Sequence, residues 1–267
     1  MQDLKITLVQ TDLIWENPEA NRAQTEMLLG TIREKTDLIV LCEMFTTGFT
    51  MQPEKVAEPF DLENMSTLNR MRSWAAELDA VVTGSVAVEE NGKYYNRLLW
   101  VRPDGSFSMY DKRHTFTFAG ENLHYESGNE RIIEEWRGWK ICPLICYDLR
   151  FPVWSRNTLV DGKPMYDLLI YVANWPSVRR EPWQKLLLAR AIENQCYTVG
   201  LNRVGHDANN NEYSGDSSII NPRGEYLLQL TPSKEELKTQ AISRSELEEF
   251  RMKFPVLNDG DGFELRF

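Results

Sequence analysis

A single layered α/β domain is the fold class this chain predicts, and three observations predict it. Apolar runs of strand length alternate with stretches of helical periodicity from one end of the sequence to the other. No Pro/Ser-rich linker or low-complexity break interrupts them, so one domain spanning residues 1–267 is expected. With 267 residues and 42% hydrophobic content, the chain can bury a large core.

Taken in order, "KITLVQ" (5–10) reads as a buried strand, and residues 17–34 carry apolar positions at helical spacing behind the polar start "ENPEAN". "DLIVLCE" (37–43) is the next strand and 61–79 the next helix. "AVVTGSVAV" (80–88), "YYNRLLWVRP" (94–103) and "FSMYDK" (107–112) follow as neighbouring antiparallel strands, with turn signals "ENGK" and "PDGS" between them. The pattern then recurs with different loops. "RIIEEW" (131–136) and "WKICPLIC" (139–146) are strands joined at Gly138, 151–159 fits a short helix, 166–174 a strand and 181–195 a helix. "CYTVGLNRV", "SSIINP" and "EYLLQL" supply further strands, 243–254 a last helix, and the tail 255–267 is irregular.

A formal charge of −10 argues against a nucleic-acid footprint or a polybasic membrane anchor, which need local Lys and Arg excess. A small-molecule partner is expected. The N-terminal segment has no secretory pattern and no apolar run approaches a membrane span, so the expected location is the cytoplasm. Cys42, Cys142, Cys146 and Cys196 are too sparse for a disulfide framework, and no second Cys/His cluster completes a metal site. Neither a dinucleotide nor a P-loop glycine motif occurs, so no cofactor is implied.

Three residues end apolar strands in a way that invites chemistry. In "KICPLICYDLRFP" the run turns polar at Cys146, the place where a strand-to-helix turn presents a side chain to a pocket. A cysteine is also among the most buried residue types, so packing competes with nucleophilic duty. Glu43 closes "DLIVLCE" and Lys112 closes "FSMYDK"; each alone reads more readily as an ordinary surface charge. A catalytic thiol needs a base or cation nearby, which Glu43 and Lys112 could supply together. His114, in "DKRHTF", offers a Cys–His dyad instead.

The blocks "LCEMFTTGF", "YDKRHTF", "CYDLRFP", "ANWP", "ARAIENQCYTVGLNRVG" and "GDSSIINPRGE", in this order along nearly the whole chain, resemble the nitrilase superfamily of carbon–nitrogen hydrolases, most closely its bacterial omega-amidase branch. The resemblance implies a four-layer αββα sandwich and a homodimer or larger assembly. It implies Glu43 as general base, Lys112 as oxyanion cation and Cys146 as nucleophile, with Glu121 as a second glutamate and Glu126 as its alternative. His114 then shapes the Lys112 loop. Arg190, Glu193 and Asn194 share one helical face, as a surface ion pair or as a polar network near the site.

The branch implies small α-keto acid amides as substrates. A distal carboxylate suits an arginine fork, for which Arg150, Arg179 and Arg180 are candidates; Tyr147 offers a backbone N–H, and Phe116 and Trp175 walls. Another amide, a carbamoyl compound or a nitrile is the alternative within the superfamily. A silent binding scaffold is the alternative outside it.

Overall fold

The computed structural model describes residues 2–265. Its first part comprises β1 (Leu4–Gln10), α1 (Pro18–Leu29), β2 (Leu38–Val40), α2 (Pro53–Val56), β3 (Glu58–Pro59), α3 (Ser66–Leu78), β4 (Val81–Glu90), β5 (Lys93–Val101) and β6 (Phe107–Asp111). Then come β7 (Glu134–Trp136), β8 (Trp139–Ile145), β9 (Leu159–Val160), β10 (Lys163–Pro164), β11 (Leu168–Ala173), α4 (Arg180–Asn194) and β12 (Tyr197–Asn202). The chain ends with β13 (Val204–His206), β14 (Glu212–Ser214), β15 (Ser218–Ile220), β16 (Tyr226–Gln229), β17 (Glu236–Ile242) and α5 (Arg244–Lys253).

Two mixed sheets result, ordered β17-β1-β2-β4-β5-β6 with β3 also on β4, and β16-β15-β12-β11-β8-β7. Each has three parallel strands at its centre, β1-β2-β4 and β12-β11-β8, with antiparallel strands outside them except for the two-residue β3, which lies parallel to β4. The second β-sheet thus repeats the plan of the first. β2, β11 and β12 are buried at every residue, as parallel strands covered on both faces must be. The sheets lie face to face, α1 and α3 cover one and α4 and α5 the other, giving the αββα layering. Indole donors cross between the sheets: Trp136 Nε1 reaches Asp37 O at 2.7 Å and Trp139 Nε1 reaches Gln2 O at 3.0 Å.

Local chemistry sets most boundaries. α1 opens where Asn17 accepts the Ala20 amide at 3.2 Å, with Pro18 following it, and stops short of residue 34 because Gly30 closes it. α3 starts at Ser66 rather than residue 61, since the Asp61 carboxylate draws the Glu63 and Asn64 amides into a turn first. Asn91-Gly92 (φ 54° and 75°) and Arg137-Gly138 (φ 48° and 80°) make two-residue hairpin turns whose twist matches their strands.

The helix expected at 151–159 is absent. A 3₁₀ turn at Cys146–Arg150 takes its place, because Pro152 forces Phe151 out of helical geometry (φ −115°, ψ 86°), and the β9–β10 hairpin occupies the region beyond. "CYTVGLNRV" (196–204) holds β12 and only the first residue of β13, which the buried Arg203 parts from it. β14 and β17 were not expected from the sequence. The tail carries one 3₁₀ turn at Val256–Asp259 and is otherwise irregular to residue 265; residues 266–267 lie outside the described residues. No described helix is long and apolar enough to cross a membrane.

Candidate active site

Strands of both sheets, the edge strand β6 among them, deliver the residues that follow them to one point. Glu43 lies three residues past β2, Lys112 directly past β6, Cys146 directly past β8 and Asn174 directly past β11. Glu43 and Glu121 are 0% exposed, Lys112 1% and Cys146 8%. Lys112 Nζ donates to Glu43 Oε1 at 2.8 Å and to Glu121 Oε1 and Oε2 at 3.0 and 2.8 Å. Asn96 Nδ2 reaches Glu43 Oε1 at 2.8 Å and Glu121 Oε1 at 3.3 Å. Glu43 Oε2 accepts the Asn174 amide at 2.7 Å, and Cys146 Sγ lies 3.9 Å from Asn174 O. One ammonium therefore sits between two carboxylates, with the thiol beside them.

Charge follows from this packing. Burial opposes the ammonium of Lys112, but Glu121 and Glu43 outweigh it and hold its pKa above the ordinary lysine range. Burial pushes Glu121 up against the pull of Lys112. The Cys146 thiol lies well above its ordinary value, first through burial, then through the Glu43 carboxylate, with Lys112 pulling the other way. The resting sulfur is a thiol, so any attack by it needs a partner that takes its proton. Cys146 also adopts φ +42°, a left-handed conformation strained for a residue with a side chain, of the kind found at sharp nucleophile turns.

Lys112 and Cys146 face a cavity of about 280 Å³. Phe116, Tyr147, Arg150 and Trp175 all line it, as does Arg179. The Phe116 and Tyr147 rings are 4.8 Å apart, Arg150 lies 4.8 Å over Trp175, and Arg179 lies 5.4 Å over Phe116. Buried thiol, base and cation below an open pocket suit acyl transfer.

The carbon-nitrogen hydrolase family profile matches residues 5–252. The chain belongs to the carbon-nitrogen hydrolase family. It is 48% identical over 265 residues to the omega-amidase YafV of Escherichia coli K12, covering 99% of this chain and 100% of that one. It is 33% identical to the 2-oxoglutaramate amidase of Bacillus subtilis, over 95% of this chain and 96% of the relative. Among solved structures, a CN-hydrolase superfamily protein of Xanthomonas campestris with an arsenic adduct in its active site superposes with a TM-score of 0.96 at 43% identity, 100% of each chain being covered.

In this carbon-nitrogen hydrolase the remaining sequence candidates separate. Glu126 is on the surface with Lys93 at 3.3 Å, away from Lys112, so Glu121 is the second glutamate of the cluster. Arg180 is paired with Asp216 and does not line the cavity, whereas among the described residues Arg150 and Arg179 have no carboxylate partner. His114 Nδ1 lies 2.8 Å from Asp148 Oδ1 and its ring does not line the cavity, which leaves the dyad without its contact. Arg190 is a polar brace: it donates to Leu149 O, just past the cysteine, and pairs with Glu193 at 2.9 Å, while Asn194 Oδ1 accepts the Asn157 amide at 2.8 Å.

Sequence reasoning missed Asn96 and Asn174, which hold Glu43. A polar residue inside the strand run "YYNRLLW" was the available signal for Asn96; Asn174 sat in a quoted block without a role. It also missed Phe49, whose ring lies 5.0 Å from Lys112 Nζ, and the β13–β14 hairpin, which brings Asp207 and Tyr213 to the cavity wall.

Proposed function

We propose that this carbon-nitrogen hydrolase removes the terminal amide of small α-keto acid amides, 2-oxoglutaramate and 2-oxosuccinamate, releasing the dicarboxylate and ammonia. The names of its relatives support the substrate class. The observation that carries it is the pairing of the Glu43–Lys112–Cys146 cluster with two guanidiniums, Arg150 and Arg179, laid on aromatic faces around the same cavity.

Glu43 accepts the thiol proton as Cys146 sulfur bonds to the amide carbon. The carbonyl oxygen becomes an oxyanion held by Lys112 and the Tyr147 backbone N–H. Collapse breaks the C–N bond, Glu43 returns the proton to nitrogen, and ammonia leaves a thioester. Water, deprotonated by Glu43, attacks that carbon, and sulfur departs to recover its proton. Glu121 and Asn96 keep Lys112 and Glu43 aligned throughout. The distal carboxylate on Arg150 or Arg179 converts remote binding into orientation of the reacting carbonyl.

Ammonia release across a panel of keto acid amides, uncharged amides of equal length, carbamoyl compounds and nitriles tests the reading. The keto acid amide should exceed its uncharged analogue in kcat/KM by about 30-fold or more, the scale of a lost charged hydrogen bond. Arg150→Met or Arg179→Met should erase that preference, and Arg180→Met should leave it. Equal rates on both amides in wild type would remove carboxylate recognition, and no turnover on the whole panel would leave the scaffold reading. The proposal includes a homodimer or larger assembly in the cytoplasm. Exposed apolar Val178 and Ile192, beside and on α4, and four unpaired thiols support it. A 31.1 kDa species in sedimentation equilibrium at micromolar concentration would overturn the assembly.

A further inference from the structure

From the contacts of one buried carboxylate we infer that His114 is a positioning residue, acting through Asp148 to hold Lys112 and Cys146 in register. The inference rests on the reading of Lys112 as oxyanion cation and Cys146 as nucleophile. Asp148 is 0% exposed and stands two residues past Cys146. Its Oδ2 accepts the Ile145 amide at 3.0 Å and the Tyr110 hydroxyl at 2.7 Å. Its Oδ1 accepts the His114 amide at 3.0 Å and lies 2.8 Å from His114 Nδ1.

These donors are placed by sequence. Tyr110 is two residues before Lys112 and His114 two after, so they bracket the lysine. The Ile145 amide is the last one before the cysteine. A single carboxylate thus fastens both shoulders of Lys112 to the entrance of the nucleophile turn. That turn needs such restraint, because Cys146 at φ +42° persists only where its surroundings over-determine it. An ionised carboxylate is acceptor-only, so its contact with His114 requires the proton on Nδ1. The ring is fixed in turn by stacking on Phe151, 3.8 Å between centroids and 6° from parallel, while Trp154 Nε1 donates to the Tyr110 hydroxyl at 3.0 Å. His114 is therefore oriented away from the chemistry and toward the frame that carries it. A shift of about 1 Å in such a frame costs on the order of a hundredfold in rate.

Two substitutions separate positioning from base catalysis. His114→Asn puts an amide N–H where Nδ1–H stands; His114→Leu fills the space without a donor. kcat and KM are measured on an amide the wild type hydrolyses, per mole of Cys146 alkylated by iodoacetamide and located by peptide mass. The expected result is a kcat about tenfold or more lower in His114→Leu with KM within about twofold, and recovery of most of the loss in His114→Asn. Wild-type kcat per titrated site in His114→Leu would overturn the inference. So would His114→Asn as inactive as His114→Leu, since that would mark the imidazole as a proton carrier. Should His114→Leu not fold, Tyr110→Phe removes one donor from the same carboxylate and decides in its place: a lower kcat per site is expected, and an unchanged one overturns the inference. The alkylation rate of Cys146, expected to change between wild type and His114→Leu but not His114→Asn, reads this geometry without amide turnover, so failure of the amide reading remains distinguishable.

Discussion

Cys146 holds its proton in the resting protein, so the reactivity of this thiol depends on a partner that removes it at the moment of attack. Burial and the Glu43 carboxylate raise its pKa, and an amide at position 43 has no capacity to take the proton. Glu43→Gln should therefore lose nearly all turnover while leaving Lys112 a side-chain oxygen to bind. Lys112→Met removes the cation proposed to face the oxyanion and should lower kcat by about 3 kcal/mol or more in transition-state terms. Cys146→Ala should be inactive, whereas Cys42→Ala, Cys142→Ala and Cys196→Ala should retain turnover, because those thiols are buried and do not line the cavity. Steady-state ammonia release with circular dichroism on each variant checks all of these; wild-type rates in folded Glu43→Gln or Cys146→Ala would reassign the roles.

At the scale of elements, helix α4 seats on β12 through an absence. A Cβ on Gly200 would stand 2.3 Å from Leu187 Cδ1 and 2.9 Å from Trp183 Cζ2, both of them in fully buried side chains. Gly200→Ala should therefore destabilise by about 1–3 kcal/mol, the range of core overpacking. Leu187→Ala opens the space that the new methyl needs, so the double variant should be destabilised by less than the sum of the two singles. Urea unfolding of the four proteins measures this coupling, and strict additivity would rule out the contact. Close approaches of this kind are invisible in a sequence, where Gly200 is only one more residue of an apolar run. The β4–β5 and β7–β8 hairpins were legible from "ENGK" and Gly138, and Glu43, Lys112 and Cys146 stood out as candidates because each ends a strand, although their roles came from the family resemblance. β17 was not, since a half-exposed edge strand such as "ELKTQAI" alternates too weakly to separate from loop. The helix expected at 151–159 failed on Pro152, whose effect on the preceding residue outweighed the apolar spacing. Glu121 depended on family resemblance, because a loop glutamate acquires its meaning only where the loop folds back onto Lys112.

For the whole molecule, the same burial that shapes the site sets an alkaline limit on the fold. Cys42, Cys142 and Cys196 are each pushed up to about 12, chiefly by burial in the apolar layers between and beside the sheets. An unfolded cysteine titrates near ~8.5. Below that value both states carry the proton and these groups add no pH dependence. Above it the unfolded chain releases protons that the folded chain retains, so the unfolded state is favoured, and the trend continues until the folded thiols titrate. Each thiol then costs about 1.4 kcal/mol of stability per pH unit, or about 2 kcal/mol by pH ~10. Three together amount to about 6 kcal/mol, comparable to the whole stability of an ordinary domain. Buried phenols add to this trend at higher pH, since Tyr110 and Tyr166 are held well above their ordinary value by burial. Urea midpoints recorded between pH ~8 and ~10.5 should fall steeply, and Cys142→Ala, although less stable at neutral pH through its lost packing, should show a shallower fall. An unchanged slope in Cys142→Ala would show that its thiol does not drive the alkaline loss, and a flat profile in wild type would mean that the layers admit enough water to let these thiols ionise in place.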